Sequence, residues 1–230
     1  MLDILYQDQY LVAINKPHGL LVHRTKIARD ANEFSVQLLR NQIGQTVYPV
    51  HRLDRKTAGV LLFALSKEVN SAMQVQFMEG LVKKKYYAIV RGFTTDEVTV
   101  DYALKREDGK LQDAVTHIET VSRSEVNLPH GKFDTSRYSL IDVSPETGRM
   151  HQIRKHMAHL RHPIIGDRPH GCNKQNKLFL ERFEMSTMML HARQLKFNHP
   201  VTNMELTIAA AVGSEFSRMI EALQLEYPQT

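Results

Sequence analysis

The sequence predicts an α+β fold built on one extended sheet, mixed but mostly antiparallel, flanked by helices. Three observations predict it. Short runs rich in β-branched, aromatic and Leu residues recur along the chain; four stretches switch to a helical period; and the two kinds of segment are intermixed without the regular alternation of a parallel α/β fold. A length of 230 residues suits one large domain or two small ones. No internal repeat or linker divides it, so a single domain over residues 1–230 is expected.

In the first half the strand-like runs are residues 4–6, 11–14, 60–65 and 86–90. Between the second and third of them, Lys16-Pro17-His18-Gly19 places a proline and a glycine where the chain must reverse. Helical stretches are expected at 33–42 and 67–78, the latter with Val69, Met73 and Phe77 at i, i+4 and i+8 on one buried face. The second half adds strands at 137–143, 188–197 and 206–210 and helices at 150–160 and 214–225. Residues 121–133, with Ser, Asn, Pro and Gly among them, read as a surface loop.

Composition narrows the partners. Hydrophobic residues make up 42% and charged residues 24%, which fits a globular chain with a sizeable core rather than a disordered or fibrous one. The formal charge is +5, and 12 His can add to it beside a polyanion. Such an excess suits a nucleic acid partner, and equally a basic surface that only aids solubility, so clustering has to decide. Cys172 is the only cysteine, which excludes an internal disulfide and any CxxC metal or redox motif. The N-terminus carries Asp3 and Asp8 in an alternating pattern unlike a signal peptide, and the longest apolar run, 60–65, is far too short to span a bilayer. A cytoplasmic protein without a membrane segment is expected.

Three segments carry chemistry. In His51-Arg52-Leu53-Asp54-Arg55-Lys56-Thr57-Ala58-Gly59 an acid sits among cations, a setting that keeps a carboxylate ionised for use as a nucleophile or base, although a surface ion pair would look the same. The stretch 147–162 holds Arg149, Arg154, Lys155 and Arg161 with His151, His156, His159 and His162 and no acid. On a helix Ile153, Met157 and Leu160 form its apolar stripe, which leaves Arg154 at the edge of the buried face, able to reach a buried carboxylate, while Lys155 and Arg161 face solvent or phosphate. A metal centre on those histidines is disfavoured, because the spacing is not HExxH and four fixed cations would oppose a divalent ion. The third segment, Lys83-Lys84-Lys85-Tyr86-Tyr87-Ala88-Ile89-Val90-Arg91-Gly92, is a strand entered from a basic run. Its Tyr86 suits either the core or a base-stacking surface.

Five segments in order resemble the RluA family of pseudouridine synthases along nearly the whole chain. They are Asn15-Lys16-Pro17-His18-Gly19 with His23; His51-Arg52-Leu53-Asp54; Lys85-Tyr86-Tyr87-Ala88; Thr147-Gly148-Arg149-Met150-His151-Gln152-Ile153-Arg154; and Leu190-His191-Ala192. Val22-His23-Arg24, Arg55 and the stretch from Ala158 to Asp167 are most similar to the tRNA-modifying members. Ala58 and Lys56 depart from the family, which usually has Ser and Pro there.

The resemblance implies the pseudouridine synthase catalytic fold without a separate N-terminal RNA-binding domain. It implies an isomerase that converts a uridine, uridine 65 of tRNA, to pseudouridine, with ribosomal RNA as the alternative substrate. No cofactor and no metal is implied, nor an obligate protein partner or a membrane. It assigns Asp54 as catalytic carboxylate, Arg154 as its ion-pair partner and Tyr86 as the ring against the target base and candidate acceptor of the C5 proton. Leu190 is expected beside the uracil, and Arg52 in the space left by the flipped nucleotide. Two other classes remain: an inert RNA-binding protein on the same fold, which would have lost Asp54 or Tyr86, and a nucleoside hydrolase, which would release free uracil.

Overall fold

Residues 1–23 and 33–227 are described by a computed structural model of the chain; Arg24, one of the residues behind the likeness to tRNA-modifying members, lies outside them. The first half of the chain runs through β1 (Asp3–Gln7), β2 (Leu11–Lys16), α1 (Ser35–Ile43), β3 (Tyr48–Pro49), β4 (Ala58–Ala64), α2 (Lys67–Met78), β5 (Lys83–Arg91) and β6 (Glu97–Asp101). There follow β7 (Leu104–Lys105), β8 (Leu111–Gln112), β9 (Val115–Val126), β10 (Ser136–Pro145), α3 (Gln152–His159), α4 (Asn173–Phe183), β11 (Leu190–Asn198), β12 (Glu205–Ala209) and α5 (Ser214–Ala222). The elements form two compact units, Met1–Lys84 with Ala192–Val212 and Lys85–His191 with residues 213–227. The chain passes between the units within β5, within β11 and after Val212.

In the first unit, β2 pairs antiparallel with β1 on one side and β4 on the other, with Ile14 opposite Leu61 and Lys16 opposite Gly59. The β1–β2 turn is closed by Asp8, whose Oδ1 accepts the backbone N–H groups of Tyr10 and Leu11, both at 2.7 Å. Leu11, Ala13, Val60, Leu62, Val69, Met73, Phe197 and Ile208 build its core, with Phe77 packed against it. The i, i+4, i+8 spacing of α2 therefore buries the face it predicts. Ser66 caps that helix by accepting from the Val69 N–H at 3.2 Å.

The second unit is a four-stranded antiparallel arrangement in the order β5, β10, β9, β6. Here the sequence misled at one place. Residues 121–126, read as part of a loop, continue β9 and pair with β10 as far as Val126 opposite Ser136. Ser124 takes a buried place in the alternation with Ile118 and Val126, so a residue of low strand propensity is held by its partner strand. Strands β3 and β6 to β8, residues 115–120 of β9 and helix α4 were also missed. In α4 only Gln175 and Phe179 are buried, which leaves no apolar stripe to detect. The α+β class holds nonetheless, and no helix among the described residues is long and apolar enough to cross a membrane.

Candidate active site

Asp54 lies in the loop between β3 and β4 of the first unit, half-buried between buried Leu53 and exposed Arg55. The loop is a tight one: the Thr57 N–H donates to the Asp54 carbonyl at 3.0 Å. It is tied to the turn after β2 by reciprocal backbone and side-chain bonds. The Gly19 N–H donates to the Arg55 carbonyl at 2.8 Å, and Arg55 Nε returns a bond to the Gly19 carbonyl at 3.1 Å.

Beneath that junction sits Lys16, fully buried at the end of β2. Its ammonium donates to the carbonyls of Pro17, Leu20 and Arg55 at 2.9, 2.8 and 3.2 Å. Burial pushes its pKa down to about 7, against the opposing pull of the Asp54 carboxylate. A buried cation thus clamps the loop that carries the acid. Sequence reasoning placed Lys16 in a turn and in a family-like segment but gave it no role, yet the signal was present: with Val12 and Ile14 it shares one face of a strand.

The far end of the loop is fixed by a glycine. Gly59 has φ 110°, and a Cβ there would run into the backbone of Ala192 in β11. No larger residue fits at this second position of β4.

In the second unit, Arg154 is more deeply buried than its expected position at a stripe edge, with 5% exposure. Its Nε donates to Asp167 Oδ2 at 2.8 Å and its Nη2 to Oδ1 at 2.7 Å, a two-point pair. Burial alone pushes the Asp167 carboxyl up, but the Arg154 guanidinium and the His170 N–H hold it below its ordinary value. Helix α3 buries polar groups because each one is paired. Gln152 accepts from Thr147 and from the Arg149 N–H and donates to Val115 and Thr116, while His156 bonds Thr116 Oγ1 and the Tyr102 carbonyl. The expected stripe of Ile153, Met157 and Leu160 is thus shared with Gln152, Arg154 and His156, and Leu160 is only half-buried.

Tyr86 is half-buried on β5, opposite Val143 of β10. The same strand anchors the neighbours of the other expected residues. Ile89 donates to the Met189 carbonyl at 3.1 Å, and its own carbonyl accepts from Ile165 at 3.0 Å, two residues before Asp167. Met189 adjoins Leu190, which is buried at the start of β11. Tyr86, Asp167 with Arg154, and Leu190 therefore hang from one backbone frame, while Asp54 and exposed Arg52 belong to the other unit.

The four histidines of the basic stretch go to separate tasks. His151 Nδ1 bonds His170 Nε2 at 2.9 Å, His156 is in the buried network above, His159 stacks on Tyr102 with centroids 3.8 Å apart, and His162 bonds the Arg91 carbonyl at 2.9 Å. Lys155, expected to face solvent, is half-buried and donates to the Lys105 carbonyl at 3.3 Å.

Residues 10–159 match the family described as RNA pseudouridylate synthase. The chain belongs to that family. Over 241 residues this pseudouridine synthase is 47% identical to tRNA pseudouridine synthase C of Vibrio vulnificus (strain CMCP6), which covers 100% of this chain and 98% of the relative. It is 48% identical over 221 residues to the protein of the same name from Yersinia pestis, over 91% of this chain and 86% of that one. Among solved structures, human RNA Pseudouridylate Synthase Domain Containing 4 superposes with TM-score 0.75 at 27% identity, over 99% of this chain and 95% of that chain. The fold is shared also with human RNA Pseudouridylate Synthase Domain Containing 1, at TM-score 0.72 and 22% identity, over 100% of this chain and 97% of that chain. As an RNA pseudouridine synthase the enzyme is an isomerase.

Proposed function

We propose that this pseudouridine synthase acts on tRNA, isomerising uridine 65, with Asp54 as its catalytic carboxylate. The observation that carries the substrate assignment is the likeness to relatives named tRNA pseudouridine synthase C, which extends over essentially the whole of both chains. The reaction breaks the bond between N1 and C1' and joins the same uracil to C1' through C5. The C5 proton is lost and N1 takes one up. No electron, phosphate or water is consumed, so the chemistry calls for no cofactor.

What it requires is an ionised carboxylate at the sugar, a cation to orient it, and a surface for the detached uracil. Asp54 meets the first need whether it attacks C1' or removes the 2' proton. Its loop is pinned by Lys16, Thr57 and Gly19, which supports a preorganised role. Arg154 is the cation in this reading. Its fork to Asp167 engages two of its five N–H donors and fixes its plane. Tyr86 lies against the base and accepts the C5 proton, with Leu190 beside the uracil. Exposed Arg52 fills the place of the flipped nucleotide with a planar cation. In this reading residues 1–230 act as a single catalytic domain in the cytoplasm.

The purified protein is incubated with unmodified tRNA and ribosomal RNA transcripts, and pseudouridine is mapped chemically by primer extension. A single stop at uridine 65 of tRNA is expected; modification of ribosomal RNA with tRNA untouched overturns the substrate. For the carboxylate, Asp54→Asn is followed by tritium release from 5-tritiated uridine RNA. A loss of several orders of magnitude is expected, about 1.4 kcal/mol of barrier per tenfold, and activity within about tenfold of the parent removes Asp54 from the role.

A further inference from the structure

The β3–β4 ladder ends in an unusual way. The Val50 N–H donates to the Leu62 carbonyl at 3.1 Å, as a strand neighbour should, but the Leu62 N–H is received by a side chain, His51 Nε2, at 3.1 Å. Leu62 is fully buried in β4, where an N–H left without a partner is costly. The imidazole takes the place of a backbone carbonyl. The chain can therefore leave the sheet at residue 51 without orphaning the strand behind it.

The ring is held at two other points. It stacks on Phe77 of α2 with centroids 5.0 Å apart and planes 20° from parallel, and it makes a hydrogen bond to the Arg52 backbone. Since Nε2 accepts, the neutral ring carries its proton on Nδ1. The protein crowding the ring and the nearby Lys84 ammonium push its pKa down to about 4, so this tautomer persists at neutral pH. Only Arg52 and buried Leu53 separate His51 from Asp54. The Asp54 backbone is thus fixed from both sides, by His51 before it and by the Thr57 N–H after it.

We propose that His51 is a positioning residue for the Asp54 carboxylate, its unprotonated Nε2 serving as the strand partner from which residues 52–57 depart. The inference rests on the catalytic role given to Asp54 above. A carboxylate displaced by about 1 Å from its working position is expected to slow the reaction by about a hundredfold without weakening RNA binding, since His51 itself touches no RNA in this account.

The test compares His51→Phe, His51→Gln and His51→Asn in the full chain. Phe keeps the ring stack but offers no acceptor; the Gln oxygen reaches where Nε2 lies; the Asn oxygen reaches only as far as Nδ1. Single-turnover tritium release, tRNA affinity by filter binding and thermal melting are measured for each, beside Asp54→Asn. The expected result is a rate loss of about a hundredfold for Phe and Asn, an unchanged tRNA affinity, and recovery to within about tenfold of the parent for Gln. If Phe does not melt cooperatively, the Gln and Asn pair decides. Parent-like rates for Phe or Asn with Asp54→Asn inactive overturn the role of His51 alone, as do equal losses for Gln and Asn. An active Asp54→Asn overturns the reading of the carboxylate, and the inference falls with it.

Discussion

Arg154 and Asp167 are joined inside the second unit by two parallel hydrogen bonds of 2.8 and 2.7 Å, with side-chain exposures of 6% and 1%. A charge pair so far from water is held by its geometry, and removal of either partner strands the other. Arg154→Met is therefore expected to cost about 3–5 kcal/mol of stability as well as the activity. Lys155→Met, at a half-buried neighbour whose ammonium donates to the Lys105 carbonyl, should mainly weaken RNA binding and flatten its salt dependence. Equal effects of the two on turnover and salt slope would mean that both merely touch phosphate.

Removing the acid member gives a pH signature. Asp167 titrates below its ordinary 3.8 in the folded chain, so its ionised form stabilises the fold above that value. The contribution is lost as pH falls below about 4 through the depressed folded value. Asp167→Asn should reduce stability at neutral pH and shrink the difference from the parent in acid, as measured by urea denaturation between pH 2 and 7. A difference that stays constant over that range would rule out the charge as the cause.

Lys16 titrates in the opposite sense to a paired lysine. Its pKa falls from 10.5 unfolded to about 7 folded, so the unfolded chain binds the extra proton between those values and stability rises with pH across the window. The slope contributed is up to about 1.4 kcal/mol per pH unit. Below about pH 7 the charged form carries its full burial cost. Lys16→Met should remove this slope while leaving three carbonyls without their donor, and Asp54→Asn should move the Lys16 pKa lower still. Denaturant melts from pH 7 to 10 that run parallel for parent and Lys16→Met would contradict the titration.

Tyr86→Phe is expected to keep tRNA affinity and slow completion of the reaction, whereas Tyr86→Ala also weakens binding, by about 1–3 kcal/mol if the ring stacks on a base. Filter binding and single-turnover rates separate the two. A Phe variant as fast as the parent reduces Tyr86 to a packing surface and moves the proton acceptor elsewhere.

Gly59→Ala tests the close approach to Ala192. With φ 110° and no room for a Cβ, the variant must shift β4 or β11, and a loss of at least about 2 kcal/mol is expected in thermal or urea unfolding. A neutral substitution would show that the loop does not depend on this contact.

Local chemistry determined much of this protein in advance. Short runs rich in β-branched, aromatic and Leu residues announced β2, β4, β5 and β10, a helical period announced α2, and short motifs announced the family, because each of these signals is written within about ten residues of chain. Tertiary structure decided the rest. Residues 121–126 became strand because β10 supplied their partners, and α4 formed around Gln175 and Phe179 without an apolar stripe. The pairing of Arg154 with Asp167, the burial of Lys16 under three carbonyls, and the use of His51 as a strand partner for Leu62 join groups 13, up to 39 and 11 residues apart in sequence. No window of sequence prices such contacts. A lysine or histidine reads as a surface charge until the fold removes the water around it, and only then does its role as a clamp or an acceptor become the cheaper state.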